Sequence, residues 1–263
     1  MSAPGSSPDR GYVLHTYPYR ETSLIVQAWT RGHGRFALVA KGARRPKSAG
    51  RGILVPFQPL TFTWFGRGEM KTLKSAEPAG AGLPLGGANL LSAFYLNELL
   101  LKLTHRDDPH EGLWDSYDSA VSELRALSRR AVGVPGLIAA EPGVADARGI
   151  EPVLRRFELA LLRELGYALE LQRDCAGGSP IDPQRDYWYV ADRGPVPADG
   201  EGERADAVKL SGLTLVHLDR GQFDDARTSA QAKSLMRMLI HRCLNGQELA
   251  TRSIVRDLQR MED

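Results

Sequence analysis

Cysteine is almost absent from this chain: Cys175 and Cys243 are the only two in 263 residues. The two could pair only if the fold brought them together, and they are too few for a disulfide scaffold. Met1–Pro8 has no cationic start leading into an apolar stretch, so it reads as a disordered lead-in and not as a secretory signal. Both cysteines are therefore expected as thiols in a reducing, cytoplasmic setting. A tetrahedral zinc site draws four ligands from closely spaced pairs, yet Cys175 has no partner at that spacing, and His217 and His241 stand alone. No metal and no other cofactor is expected. Long apolar runs are also missing: mean hydropathy is −0.30, and nothing approaches the roughly 20 apolar residues of a spanning helix. Phosphate loops, dinucleotide-binding glycines and nucleophile elbows are absent. Asp107-Asp108 and Asp224-Asp225 are the adjacent carboxylates that a Mg²⁺-dependent nuclease could use, but acids in such positions more commonly cap helices. An enzyme is not expected.

Acid is missing from one stretch. Between Thr22 and Gly68 there is no carboxylate but there are eight Lys or Arg. Residues 1–68 carry ten cations against Asp9 and Glu21, a balance of +8. Residues 69–263 carry 24 against 30, a balance of −6, and the two sum to the chain's +2. Such a split points to a polyanion as the partner of the basic part.

What is present there is β in character. Gly11–Tyr17, Ser23–Thr30, Arg35–Lys41, Leu60–Phe65 and Glu69–Ala76 are rich in β-formers and separated by glycine turns such as Gly32-His33-Gly34 and Gly66-Arg67-Gly68. Leu60, Phe62 and Trp64 alternate with Thr61 and Thr63. Five short strands suggest a small barrel of the oligonucleotide-binding (OB) type, with an SH3-like barrel as the alternative that strand counting leaves open. The run Ala79–Gly87 breaks both periodicities and predicts a domain boundary, giving a barrel over 1–82 and a mainly helical domain over 83–263. Helical spacing covers Leu90–Leu103 and Gly112–Arg130, and a helix is predicted to start at Pro152, with Gly166 as its stop or a kink. An irregular insertion is expected around 172–212 with a strand at Tyr187–Val190, followed by helices over 230–244 and 252–259. The fold class is α+β.

The densest constellation runs from Lys41 to Gly52, where Lys41, Arg44, Arg45, Lys47 and Arg51 are spaced by glycines that let backbone approach phosphate. Arginine forks onto phosphate and lysine acts as a point charge. Trp29, Phe36, Phe62, Trp64 and Phe65 lie in the flanking strands. A basic groove with aromatic platforms is how single-strand binders work. The plainer alternative makes the aromatics barrel core and the loop a solvated surface. With Arg35, Arg67 and Lys71 from the neighbouring strands and turns, these cations form the candidate DNA-binding set.

Several segments, in order, carry a resemblance. They are Tyr12-Val13-Leu14-His15, Glu21-Thr22-Ser23-Leu24, Leu38–Arg44, Pro56–Leu60, Gly66–Glu77, Tyr95–Leu100, Leu154–Leu162, and Gly166-Tyr167 through Cys175-Ala176-Gly177. Together they resemble the RecO family of bacterial DNA-repair proteins. The resemblance implies an N-terminal OB barrel and a helical C-terminal domain. It implies binding of single- and double-stranded DNA, annealing of strands coated by single-stranded-DNA-binding protein (SSB), and work with RecR in loading RecA, near the nucleoid during repair. Some members of the family carry a four-cysteine zinc module; with Cys175 alone in that region, this chain resembles the zinc-free branch. The resemblance also implies capture of the acidic SSB tail, with Leu154 and Phe157 as an apolar slot and Arg155 as the partner of its terminal carboxylate. On spacing alone, Arg155 and Arg156 also suit the polar face of a core helix. An RNA- or ribosome-associated barrel without annealing activity is the competing reading.

Overall fold

The computed structural model describes residues 7–48, 50, 52–80, 82, 85–132, 147–167, 169–199 and 206–254. Most of the N-terminal lead-in, Arg51, the uncertain stretch 133–146 and the end of the last predicted helix lie outside them. The chain divides into two compact units, Met1–Val134 and Pro135–Asp263.

The first unit opens with β1 (Asp9–Tyr19), β2 (Ser23–Thr30), β3 (Gly34–Ala40), β4 (Leu60–Phe65) and β5 (Met70–Pro78). They close into a barrel in the order β1-β2-β3-β5-β4, with β1 also pairing β4. The β3–β5 pairing is parallel and every other one antiparallel. This closure is OB-like, and it decides between the two barrels that strand counting left open. Alternation explains the interior: Val26, Ala28, Phe36, Leu38, Leu60, Phe62 and Trp64 form one buried cluster, joined from the β3–β4 loop by Ala43 and Leu54.

Two helices follow, α1 (Gly87–Leu103) and α2 (Glu111–Val132), and they pack on the barrel. Tyr12 turns outward from β1 and meets Tyr117 edge-on at 5.2 Å and Trp114 at 6.1 Å. Its hydroxyl donates to Asp118, and Asn97 donates to the Leu14 carbonyl at 2.8 Å. Arg31 grips Asp115 with two hydrogen bonds, at 3.0 and 3.1 Å, and Glu111 at 2.6 Å. Tyr12, Leu14 and Trp29 are fully buried although none belongs to the barrel interior. Each such side chain contributes about 1.5–3 kcal/mol when covered. The composition break at 79–87 therefore marks the end of the barrel, while the compact unit continues through α2.

The second unit begins with α3 (Ala147–Glu164), then a three-stranded antiparallel sheet of β6 (Asp186–Val190), β7 (Gly194–Pro197) and β8 (Ala207–Ser211) in the order β7-β6-β8. α4 (Gly212–Asp219) and α5 (Ala226–Cys243) complete it. α3 starts five residues before the predicted Pro152, which lies inside it. Gly166 stops the helix as expected: it takes φ +82, and the Tyr167 N–H reaches back to the Leu162 carbonyl at 2.9 Å. α4 escapes sequence reading because Leu213–Leu218 is short and lacks a polar face. Ser211 starts it, its hydroxyl accepting from the Thr214 N–H at 3.2 Å.

Candidate nucleic-acid interface

The basic loop between β3 and β4 is fixed at both ends. At its start the Arg44 N–H donates to the Thr22 carbonyl at 2.8 Å, and its guanidinium to the Arg20 carbonyl at 3.3 Å. Successive turns follow, Arg45 N–H to Gly42 O and Ser48 N–H to Arg45 O, both at 3.0 Å. Ala43 and Leu54 point into the barrel interior. At the far end Phe57 takes φ +68, a strained position for a residue with a side chain. The Arg125 guanidinium donates to its carbonyl, and Phe94 meets its ring edge-on at 4.9 Å. Lys41, Arg44, Arg45 and Lys47 are all exposed on this anchored loop. Arg67 is exposed in the β4–β5 turn, and Arg51 lies outside the described residues.

Two of the predicted cations have other work. Arg35 donates to the Thr104 carbonyl at 2.7 Å, tying β3 to the C-terminal end of α1, and burial beside Arg106 lowers its pKa. Lys71 pairs with Asp107, lies 4.7 Å from the centre of the Phe36 ring, and keeps 12% of its side chain exposed. Both hold the segment after α1 against the barrel, where Gly34 is needed because a Cβ there would collide with the Asp108 carbonyl. Sequence counting cannot tell a docking cation from a surface one.

The aromatics divide as cleanly. Trp29, Phe36, Phe62 and Trp64 are buried, but Phe65 is 40% exposed. Its strand partner is Thr72, and the register continues through Val39 and Ile25 to Tyr17. Directly paired residues share a face. One rung, Tyr17–Ile25–Val39–Thr72–Phe65, thus crosses all five strands on the outside of the barrel. Tyr17 is 47% exposed, and His15 lies edge-on to it at 4.4 Å. Tyr17 and Arg20 escape sequence reading. Tyr17 reads as one more β-former, and Arg20 sits beside Glu21, just outside the acid-free run.

In the second unit the candidate tail residues lie on α3. Phe157 is buried, Leu154 half-buried, and Arg156 exposed. The Arg155 side chain is 6% exposed and donates to Glu158 at 3.0 Å, with Glu151 at 3.7 Å. Lys233 on α5 pairs with the same Glu151 at 2.6 Å. Arg155 thus faces inward onto carboxylates of its own helix, not outward as a tail-binding arginine was expected to do.

Neither acidic pair gathers into a metal site. Asp107 pairs with Lys71, Asp108 faces His110 at 3.3 Å, and Asp225 caps α5 by accepting from the Thr228 N–H at 2.7 Å. Among the described residues no three His, Cys, Asp or Glu side chains converge as metal ligands. None of the described helices is long and apolar enough to cross a membrane. The loop around Cys175 is held by a carboxylate: Asp174 accepts from the N–H groups of Ala176, Gly177 and Ser179 at 2.6–3.0 Å. These bonds, that from Gly177 foremost, lower its pKa. A lowered carboxyl pKa stabilises the fold above the unfolded value, about 3.9 for Asp, and that contribution is lost as pH falls through the folded value. Carbon NMR is therefore expected to find Asp174 titrating below ordinary aspartates. A chelator is expected to leave the unfolding midpoint of the protein unchanged, and a drop on adding EDTA would show a metal holding this loop.

Comparison with known proteins agrees with this layout. Residues 5–81 match the family model described as Recombination protein O N terminal, and residues 143–249 match Recombination protein O C terminal. The chain is 45% identical over 250 residues, 95% of both chains, to the DNA repair protein RecO of Aromatoleum aromaticum. It is 47% identical over 248 residues, 94% of both chains, to that of Azoarcus sp. strain BH72. To that of Dechloromonas aromatica it is 47% identical over 251 residues, 95% of both chains. The chain therefore belongs to the RecO family of DNA repair proteins.

Proposed function

We propose that this chain is a non-enzymatic recombination mediator that binds single- and double-stranded DNA and anneals complementary strands coated by SSB. With RecR it helps load RecA. The observation that carries the reading is the anchored basic loop on a barrel whose outer face exposes the rings of Tyr17 and Phe65. Because the loop backbone is fixed at Arg44 and Phe57, it needs little ordering on binding, and less of the phosphate attraction is offset. Backbone contacts of this kind carry no sequence information, which suits a protein that must anneal any pair of strands. Binding of the SSB tail at Leu154, Arg155 and Phe157 carries one condition: Arg155 must exchange Glu158 for the tail's carboxylate.

The deciding experiment follows annealing of SSB-coated complementary oligonucleotides, with and without Mg²⁺, on a gel that also reports strand length. Faster annealing of full-length strands is expected in both conditions. Binding without faster annealing, with RNA competing better than DNA, would favour the RNA-associated reading. Shortened strands in Mg²⁺ would mean a nuclease.

A further inference from the structure

We infer that helices α1 and α2 set the conformation of the basic loop through a clamp on Phe57, with Arg125 of α2 as the positioning residue. This rests on the reading above, in which the loop holds DNA, and it concerns side chains that lie outside the loop.

Arg125 is 7% exposed. A buried arginine is costly and is ordinarily matched by a carboxylate. This one directs its guanidinium at a main-chain oxygen, the Phe57 carbonyl, while its Nε meets no acceptor among the described residues. The residue it holds is strained. Phe57 takes φ +68, where a side chain crowds the backbone. Strain of this kind persists only where the surroundings over-determine it. Here Arg125 holds the carbonyl, Phe94 of α1 packs edge-on against the ring at 4.9 Å, and Pro56 bridges to Val13 of β1.

The clamp stands on a fixed base. Arg31 and Tyr12 fasten α2 to the barrel at Asp115 and Asp118, and the Tyr117 hydroxyl donates to Asn97 of α1 at 2.6 Å. The hold at Phe57 is passed back to the cations by the loop's own turns. The Leu54 N–H donates to the Gly50 carbonyl at 3.1 Å, and the Gly50 N–H to the Ser48 hydroxyl at 3.3 Å. A Cβ added at Gly50 would lie 3.5–3.6 Å from Leu54, Ala43 and Ser48, so the two limbs of the loop rest against each other. Loosening the limb that ends at Phe57 therefore loosens the limb that carries Arg44, Arg45 and Lys47.

The test uses the full chain. Fluorescence anisotropy follows an oligothymidine of about 20 residues over a range of NaCl concentrations. Brief trypsin digestion of the native protein, read by mass spectrometry, reports the loop. Arg125→Met keeps the stem and removes the donor. It is expected to speed cleavage after Arg44 and Lys47, because local opening admits the protease. It is expected to weaken single-strand binding about tenfold, the scale of ordering about one residue more on binding. The salt slope should not change, because every loop cation still meets its phosphate in the complex. Arg125→Lys keeps a donor and should recover part of the affinity. In a chain whose Arg44, Arg45 and Lys47 are already alanine, Arg125→Met should cost nothing further, since it acts through them. Should Arg125→Met not fold, Phe94→Ala releases the clamp from an exposed position and should show the same pattern on a smaller scale, about threefold.

Affinity and cleavage equal to those of the unmodified protein, in whichever of these variants folds, overturn the inference and leave the proposed function standing. An equal loss in the alanine background also overturns it and leaves Arg125 merely structural. A slope lowered by about 0.7 would make Arg125 a phosphate contact instead. If the unmodified protein binds no DNA, the proposed function falls, and the cleavage rates alone decide whether the clamp holds the loop.

Discussion

Replacing Arg44, Arg45 and Lys47 together by alanine is expected to lower single-stranded DNA affinity about a hundredfold near 0.1 M salt. The estimate follows from counterion release, in which each phosphate neutralised on a single strand contributes about 0.7 to the slope of log K against log salt. Three lost contacts lower that slope by about 2, which at 0.1 M amounts to two powers of ten. The deficit should shrink as salt rises and nearly vanish near 1 M. It should also be the same for oligonucleotides of different composition, because phosphate contacts do not read bases. Stability should hardly change. The three side chains are exposed, and the main fastening of the loop, the Arg44 N–H to the Thr22 carbonyl, belongs to the backbone. Titrations at three salt concentrations check all of this. Unchanged affinity in a folded triple variant would remove the basic loop from the interface.

The sequence made some of this legible, for definable reasons. Strand positions were readable because Leu60, Phe62 and Trp64 alternate with threonines and all lie in the barrel interior. The loop cations were readable because no acid lies among them. What could not be read is which charges meet inside the unit. Arg31 belongs to the same acid-free run as Arg44, yet it is bound to Asp115 and Glu111, far off in sequence on α2. Lys71 and Arg35 are likewise committed to residues 104–107. The helices α1 and α2 were legible as helices but not as part of the barrel's unit, since what joins them to it is the outward face of β1 and β2. That face carries Tyr12, Leu14 and Trp29, apolar on the side where alternation predicts solvent. Read as a signal, outward aromatics on a barrel strand announce a covering element.

The same lesson governs the other large effect, at Arg155. Arg155→Ala is expected to destabilise the second unit by about 3–5 kcal/mol, the cost of removing one partner from a buried ion pair. Glu158 is 1% exposed and loses the guanidinium that lies 3.0 Å from it. Glu151 loses a contact as well, but it keeps Lys233. In a unit of this size the loss corresponds to a fall of roughly 10–20 °C in the unfolding midpoint. A purely tail-binding arginine at the rim of a pocket would show no such fall, because an exposed cation contributes little to stability. Two further variants separate the roles. Arg155→Ala with Glu158→Gln removes both charges of the buried pair and is expected to recover part of the stability. If Arg155 also takes the SSB tail, this double variant, though folded, should still bind an acidic peptide ending in a hydrophobic residue about tenfold or more weakly, the worth of a charge-assisted contact. Thermal unfolding and peptide anisotropy on the two variants decide the matter. An unchanged midpoint in Arg155→Ala would show that the ion pair does not hold the unit together. Wild-type peptide affinity in the folded double variant would remove Arg155 from the tail site and leave it a purely structural residue.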